Sequence, residues 1–142
     1  MMRTLRLDSI APLIAERFRR APPDVRRRAT LVAIEHAIAA TGVSGSDVDA
    51  ALEVLRSATP PPTNLRQRFE TSAAEHDEEY IQLSETGQRE TAALWAFSKA
   101  RALAALAFAL SNDELHEAIY EAMAAVDDTE RLERSLATVL TP

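Results

Sequence analysis

The sequence predicts an all-α protein: a single domain over residues 1–142, folded as an irregular bundle of six or seven antiparallel helices. The first observation is segment 100–109, in which six of the ten residues are alanine. Alanine is the best helix former, and a helix that is apolar on nearly every side must be buried. The second is that apolar residues recur at three- and four-residue steps elsewhere, and the third is that no segment alternates as a half-buried strand does. We therefore expect the alanine-rich helix to lie at the centre of the bundle.

Prolines delimit the first two helices. We expect the first to begin with Asp8 or Ser9 as its N-cap, since Pro12 is tolerated in a first turn. The pair Pro22–Pro23 ends it and opens the second helix, which ends near Gly42, its C-terminal cap. The apolar faces hold Ile10, Leu13, Ile14 and Phe18 in the first helix, and Val25, Leu31, Val32, Ile34 and Ile38 in the second.

A stiff proline segment, residues 60–62, separates the third and fourth helices, because consecutive prolines cannot continue a helix. Ser46 is expected to cap the third helix. Asn64 is expected to start the fourth, with Gln67 completing a capping box. The inward faces hold Val48, Ala51, Leu52 and Leu55 in the third helix, and Leu65, Phe69, Ala73, His76, Tyr80 and Leu83 in the fourth.

The second half of the chain predicts three more helices. Gly87 marks a break, after which the alanine-rich helix spans residues 88–110. Ser111 and Glu114 form a second capping-box pattern before the sixth helix, and Asp127 or Asp128 begins the last. The inward positions are Leu115, Ile119, Ala122 and Val126 in the sixth helix, and Leu132, Leu136 and Val139 in the last.

Composition restricts the function classes. The chain has no cysteine, which excludes a disulfide scaffold and a thiolate metal site and fits a cytoplasmic location. Frequent alanine and arginine with a single lysine are typical of a GC-rich bacterial genome. No targeting segment is recognised, and the longest apolar run, residues 102–110, is far shorter than the about 20 residues that span a membrane. No phosphate loop, catalytic triad or nucleotide motif is recognisable, so neither a cofactor nor an enzyme activity is predicted.

Residues 37–52 resemble the helix-turn-helix of bacterial repressors. Gly42 lies at the turn, Val43 and Ser44 follow it, and Val48 takes the place of the inward valine. The resemblance implies that the helix after the turn would enter the DNA groove. The charged residues at its start are all acidic: Asp47, Asp49 and Glu53. Since affinity for DNA depends largely on neutralising phosphates, these residues argue against nucleic-acid binding.

Two histidines supply an alternative function. His76 with Glu79 and His116 with Asp113 are each three residues apart, so each pair can offer two ligands from one helix face. Neither His-x-x-x-His nor Glu-x-x-His is present. The alternative is therefore a metal- or small-molecule-binding helical bundle, or an enzyme, that assembles His76, Glu79 and His116 across helices.

The fourth helix is the main candidate site because it is strongly acidic. Its carboxylates are Glu70, Glu75, Asp77, Glu78, Glu79 and Glu85. Like charges one turn apart destabilise a helix, so such a face gains from a positive group against it. One source is the chain's own residues 1–28, which carry a net charge of +5 against −11 for the remainder. The other is a basic protein partner, whose association complementary charge would speed.

We accordingly predict a cytoplasmic, non-enzymatic protein that binds a basic protein partner and crosses no membrane. The predicted contact residues are Glu70, Glu75, Glu78, Glu79 and Tyr80. A bacterial immunity or antitoxin-like protein that neutralises a basic toxin is the specific form of this hypothesis. The sequence leaves homo-oligomer formation open.

Overall fold

The computed structural model describes residues 4–87 and 90–141, which form eight α-helices and no strand. The helices are α1 (Leu7–Ile10), α2 (Pro12–Arg20), α3 (Pro23–Thr41), α4 (Ser46–Ser57), α5 (Leu65–Thr86), α6 (Glu90–Ala109), α7 (Leu115–Ala125) and α8 (Thr129–Leu140). A single 3₁₀ turn, Asn112–Glu114, precedes α7. The predicted all-α bundle is confirmed.

The extra helix arises because the predicted first helix divides at Ala11. Ala11 has φ −149° and ψ 69°, outside the helical region. Pro12 causes this break, since the ring of a proline disfavours helical geometry in the residue before it. The predicted N-cap at Asp8 or Ser9 is therefore wrong: α1 begins at Leu7, and both residues lie inside it.

The alanine-rich helix lies where the sequence places it, with its second half in the core. Ala102, Ala105, Leu106 and Ala109 are all buried, and α3, α5 and α7 pack on this helix. Small side chains let the neighbouring helix axes approach closely, so one helix can be covered on several sides. Residues 88 and 89 of the predicted span lie outside the described residues.

Helices α5 and α6 form a hairpin that extends past the rest of the bundle. The contiguous core includes α5 only as far as Ala73 and α6 only from Ala102. Beyond these residues the two helices pack on each other, and the rings of Tyr80 and Phe97 lie 5.4 Å apart. We call residues 74–86 of α5 together with residues 90–101 of α6 the arm. The remaining described residues form the body.

The C-terminal cap predicted at Gly42 and the break predicted at Gly87 are confirmed, and both glycines are left-handed. Gly42 has φ 72°, and its N–H donates to the carbonyl of Ile38 at 2.8 Å. Gly87 has φ 66° at the end of α5. Asp128 is confirmed as the N-cap of α8, because its carboxylate accepts the N–H of Arg131 at 3.0 Å.

The other three predicted caps form no side-chain hydrogen bond. Gly45 precedes α4 and Ser46 is its first residue, so the cap predicted at Ser46 is wrong. Asn64 is confirmed as the N-cap residue of α5, but its backbone is left-handed, φ 67°, and the predicted capping box with Gln67 does not form. At Ser111 no side-chain cap forms, and the Glu114 carboxylate instead accepts a hydrogen bond from Arg66 at 2.6 Å. A capping box requires both side chains to turn back onto the helix, and tertiary contacts compete for them.

Replacing Gly42 with alanine is expected to destabilise the protein by about 1 kcal/mol, because a side chain at positive φ is strained. No atom lies within 4 Å of an added Cβ, so the cost is one of backbone conformation alone. Urea unfolding measures it. Gly42→Asn is the matched control, since asparagine tolerates this conformation better. Equal losses for both variants would contradict this explanation.

Candidate protein-binding site on the helical arm

The predicted acidic residues lie on the outside of α5. Glu75, Glu78 and Glu79 are exposed on the arm, and Tyr80 is half-buried against Phe97. The helical repeat of 3.6 residues places Glu75 and Glu79 one above the other, with Glu78 beside them. Glu70 is exposed as well, but it belongs to the body end of α5. Four of the five predicted residues therefore share the arm.

Of the six carboxylates predicted on α5, three have a basic neighbour among the described residues and three have none. Arg66 donates a hydrogen bond to Glu70 at 2.8 Å and a second one to Glu114, and both bonds raise the pKa of Arg66. Glu79 lies 3.3 Å from Nδ1 of His76. Within the described chain, Glu75, Glu78 and Glu85 form no ion pair, although Glu78 accepts a hydrogen bond from Gln82.

The arginine-rich N-terminal segment does not supply the missing charge. Arg6 pairs with Glu117 of α7, and Arg19 pairs with Asp8. The second of these pairs lowers the pKa of Asp8, helped by the N–H of Leu5. Arg6 also reaches Glu121 of α7, whereas Arg20 pairs locally with Glu16 and Arg28 with Asp24, and Arg26 donates to carbonyls at the end of α2. Among the described residues, no ion pair joins this segment to α5.

One acidic residue of α5 has a different role. Asp77 accepts a hydrogen bond from Arg101 at 2.7 Å, and Arg101 also binds Glu121 of α7 at 2.9 Å. Glu121 is buried and reaches Arg6 at 3.2 Å. Acidic and basic side chains thus alternate in one network: Asp77, Arg101, Glu121, Arg6 and Glu117. This network connects the arm and the N-terminal segment to α7. Sequence reasoning missed Glu121, because nothing in its local pattern distinguishes it from a surface glutamate.

The arm also exposes three large apolar side chains. Leu94 is 62% exposed, Trp95 49% and Ile81 48%. The ammonium group of Lys99 lies 5.4 Å from the centre of the Trp95 ring. An exposed group of large apolar residues is typical of an interaction surface. The sequence pattern did not reveal this exposed apolar group, because the apolar helix was expected to be buried throughout its length.

A shallow groove of about 300 Å³ lies at the end of the arm. The residues that line it are Tyr80, Leu83, Ser84, Gly87, Glu90, Ala93 and Leu94. Among its described lining residues, Glu90 supplies a carboxylate, and Tyr80 and Ser84 supply hydroxyl groups. The groove thus offers shape and apolar contact beside the acidic surface.

The alternative metal site is not assembled. His76 lies on the arm beside Glu79, whereas His116 lies in the body, where its ring meets that of Phe18 at 6.5 Å. Across residues 4–87 and 90–141, no group of three metal-binding side chains converges. Nδ1 of His76 is buried and lacks hydrogen-bond geometry to the nearby Glu79.

The helix pair that resembles a helix-turn-helix is present as α3 and α4. Val48 is buried, as the resemblance implies, while Asp49 and Glu53 are exposed. Asp47 pairs with Arg68 of α5 at 2.9 Å, and this bond lowers the pKa of Asp47. The outer surface of α4 therefore presents carboxylates, which repel a phosphate backbone.

Helix α6 is the one described helix that is long and apolar enough to cross a membrane by those criteria. Half of that span is buried inside the fold, and the core helix of a soluble protein meets the same criteria. Comparisons of the chain with protein-family models, with curated proteins and with solved structures find no match.

Proposed function

We propose that this chain is a non-enzymatic, protein-binding helical domain whose acidic arm contacts a basic protein in the cytoplasm. The observation that carries the proposal is the set of exposed carboxylates at Glu75, Glu78 and Glu79, together with the absence of an arginine partner for them among the described residues. Repulsion between such residues costs a few tenths of a kcal/mol per pair. A partner that neutralises them recovers this cost on binding.

The position of the surface supports the same proposal. The arm extends beyond the core, so a partner can approach α5 without meeting α2 or α3. Tyr80 lies next to the carboxylates and combines an apolar ring with a hydroxyl group, a combination enriched at protein interfaces. The partner surface that fits is basic with an apolar centre. A bacterial immunity or antitoxin-like protein that blocks a basic toxin is the specific form that we propose.

Reversing the charge of the arm tests this function. In a pull-down from cells of the source organism, the triple variant E75K/E78K/E79K is expected to lose a basic partner by at least about tenfold, since like charges across an interface cost several kcal/mol. The matched control is E35K/D49K/E53K, which changes the net charge equally at exposed positions of the body. Circular dichroism verifies that both variants fold.

The partner retained by the body variant should also dissociate as salt concentration rises, because the attraction is electrostatic. Recovery of the same partner by the arm variant would show that the proposed surface is wrong. Loss from both variants alike would mean that net charge, and not the arm, governs binding. Capture of acidic proteins alone would equally contradict the proposal.

A further inference from the structure

Helix α6 has two apolar faces, of which α5 covers only one. The face toward α5 carries Ala93, Ala96 and Ala100, which are buried. On the opposite face, uncharged residues recur every three or four positions, a spacing that allows a second helix to pack there. We call this face the outer stripe of α6: Thr91, Leu94, Trp95, Ser98, Ala102, Ala105 and Ala109. Leu94 lies at the edge of this face, where it also lines the groove with Tyr80 and Leu83 of α5.

The outer stripe is covered in the body and bare on the arm. Ala102, Ala105 and Ala109 are buried where α3 and α7 pack on α6. Toward the N-terminal end of α6 the same stripe continues with Leu94 and Trp95, which are about half to two-thirds exposed. The fold thus uses the stripe as a helix-packing surface for half its length and leaves the other half without a covering helix.

The bare part of the stripe carries no carboxylate, which decides what kind of molecule can cover it. Thr91, Leu94, Trp95 and Ser98 carry no charge, and the ammonium group of Lys99 lies 5.4 Å from the centre of the Trp95 ring. A basic partner is attracted to the carboxylates of α5 and finds no such attraction at this stripe. A second copy presents the same apolar residues, so Leu94 and Trp95 of two copies can cover each other while Lys99 stays at the edge of the contact.

We propose that two copies of the chain associate through the bare part of the outer stripe, α6 against α6, to form a four-helix arrangement of the two arms. A symmetric contact of this kind places one patch against itself and closes after two copies. The acidic surface of α5 stays outside the contact and remains accessible to the basic partner.

The size of the surface sets the strength of the dimer. The bare part of the stripe, residues 91–98, extends about 12 Å along α6, so the contact is at the small end of specific interfaces, which need about 1,000 Å². The contact is therefore weak, and dimer formation depends on protein concentration. Leu94 and Trp95 lie near its centre, where truncations have the largest effects on binding.

The test measures mass and tryptophan environment together. Sedimentation velocity from about 1 to about 500 µM covers the affinities of weak interfaces, and the mass is expected to rise from 15.6 kDa toward twice that value. Trp95 is the only tryptophan. Its emission should move to shorter wavelength over the same concentration range, because dimerisation removes the indole ring from water.

Two variants of matched exposure locate the contact. Leu94→Glu is expected to abolish the dimer, whereas Leu13→Glu, at a leucine that is 60% exposed on the body, should leave it intact. The proposal is overturned by a wild-type chain that stays monomeric throughout, by dimers that survive Leu94→Glu, or by dimers with unchanged Trp95 emission. The E75K/E78K/E79K variant should still dimerise, so failure of the partner proposal is distinguishable from failure of this one.

Discussion

Replacing Leu106 with alanine is expected to lower the free energy of unfolding by about 3 kcal/mol, within the range of 2 to 5 found for buried leucines. Leu106 is fully buried in the half of α6 that crosses the core. The substitution removes apolar contacts and leaves a cavity that the surrounding helices fill only in part. Because domains of this size are stable by about 5–15 kcal/mol, the loss is a large fraction of the total. Urea unfolding followed by circular dichroism measures it.

Leu94→Ala is the matched control, because the same residue type is 62% exposed on the same helix. It is expected to cost less than about 0.5 kcal/mol when measured at low protein concentration. Similar losses at the two positions would contradict the distinction between the core half of α6 and its arm half.

Replacing Glu121 with glutamine is expected to destabilise the protein by about 2–3 kcal/mol, since breaking a buried ion pair leaves charges without compensation. The Glu121 carboxylate is buried between Arg101 and Arg6, at 2.9 and 3.2 Å. Arg101 retains Asp77 and Arg6 retains Glu117, which keeps the loss below that of a fully isolated pair. Nε of Arg101 is already buried without a hydrogen-bond partner among the described residues, so Arg101 cannot easily replace the hydrogen bond that it would lose with Glu121.

The control for this variant is Glu70→Gln, which removes the exposed one-turn pair with Arg66. Exposed pairs contribute about 0–1 kcal/mol and are screened by salt. Chemical unfolding at low and high ionic strength separates the two cases: the cost of Glu121→Gln should persist in salt. A loss at Glu121 no larger than that at Glu70 would show that the buried carboxylate does not connect the arm to α7.

Local sequence patterns predicted the helices but not all their ends. Gly42 and Asp128 act as predicted because each needs only its own neighbours: a left-handed turn in one case and an N–H three residues away in the other. The cap at Ser111 fails because Arg66, far away in sequence, takes the Glu114 carboxylate. In α8 the sequence predicted Val139 as an inward residue, but Leu140 is buried and Val139 only half-buried. Packing against the core thus rotates the buried face of α8 slightly from the predicted one.

The candidate site was predictable in the same restricted sense. An acidic, exposed face on α5 follows from composition and helical period, and Glu75, Glu78 and Glu79 lie on it. The sequence allowed two sources of positive charge for this face, the N-terminal arginines or a basic partner. In the structure the N-terminal arginines pair with other residues, as Arg6 does with Glu117. That partner is 111 residues away. No local rule chooses among 22 acids for such a contact.

The sequence by itself determined that this chain is helical, where most helices lie and which side of each is apolar, because those properties depend on residues within one or two turns. Only the tertiary structure decided that half of the apolar helix leaves the core as an arm. It also decided that Glu121 is buried and that Glu75, Glu78 and Glu79 meet no arginine among the described residues. Burial and ion pairing depend on which distant helices pack together, and the same helical stripe is core or surface according to whether a neighbour covers it.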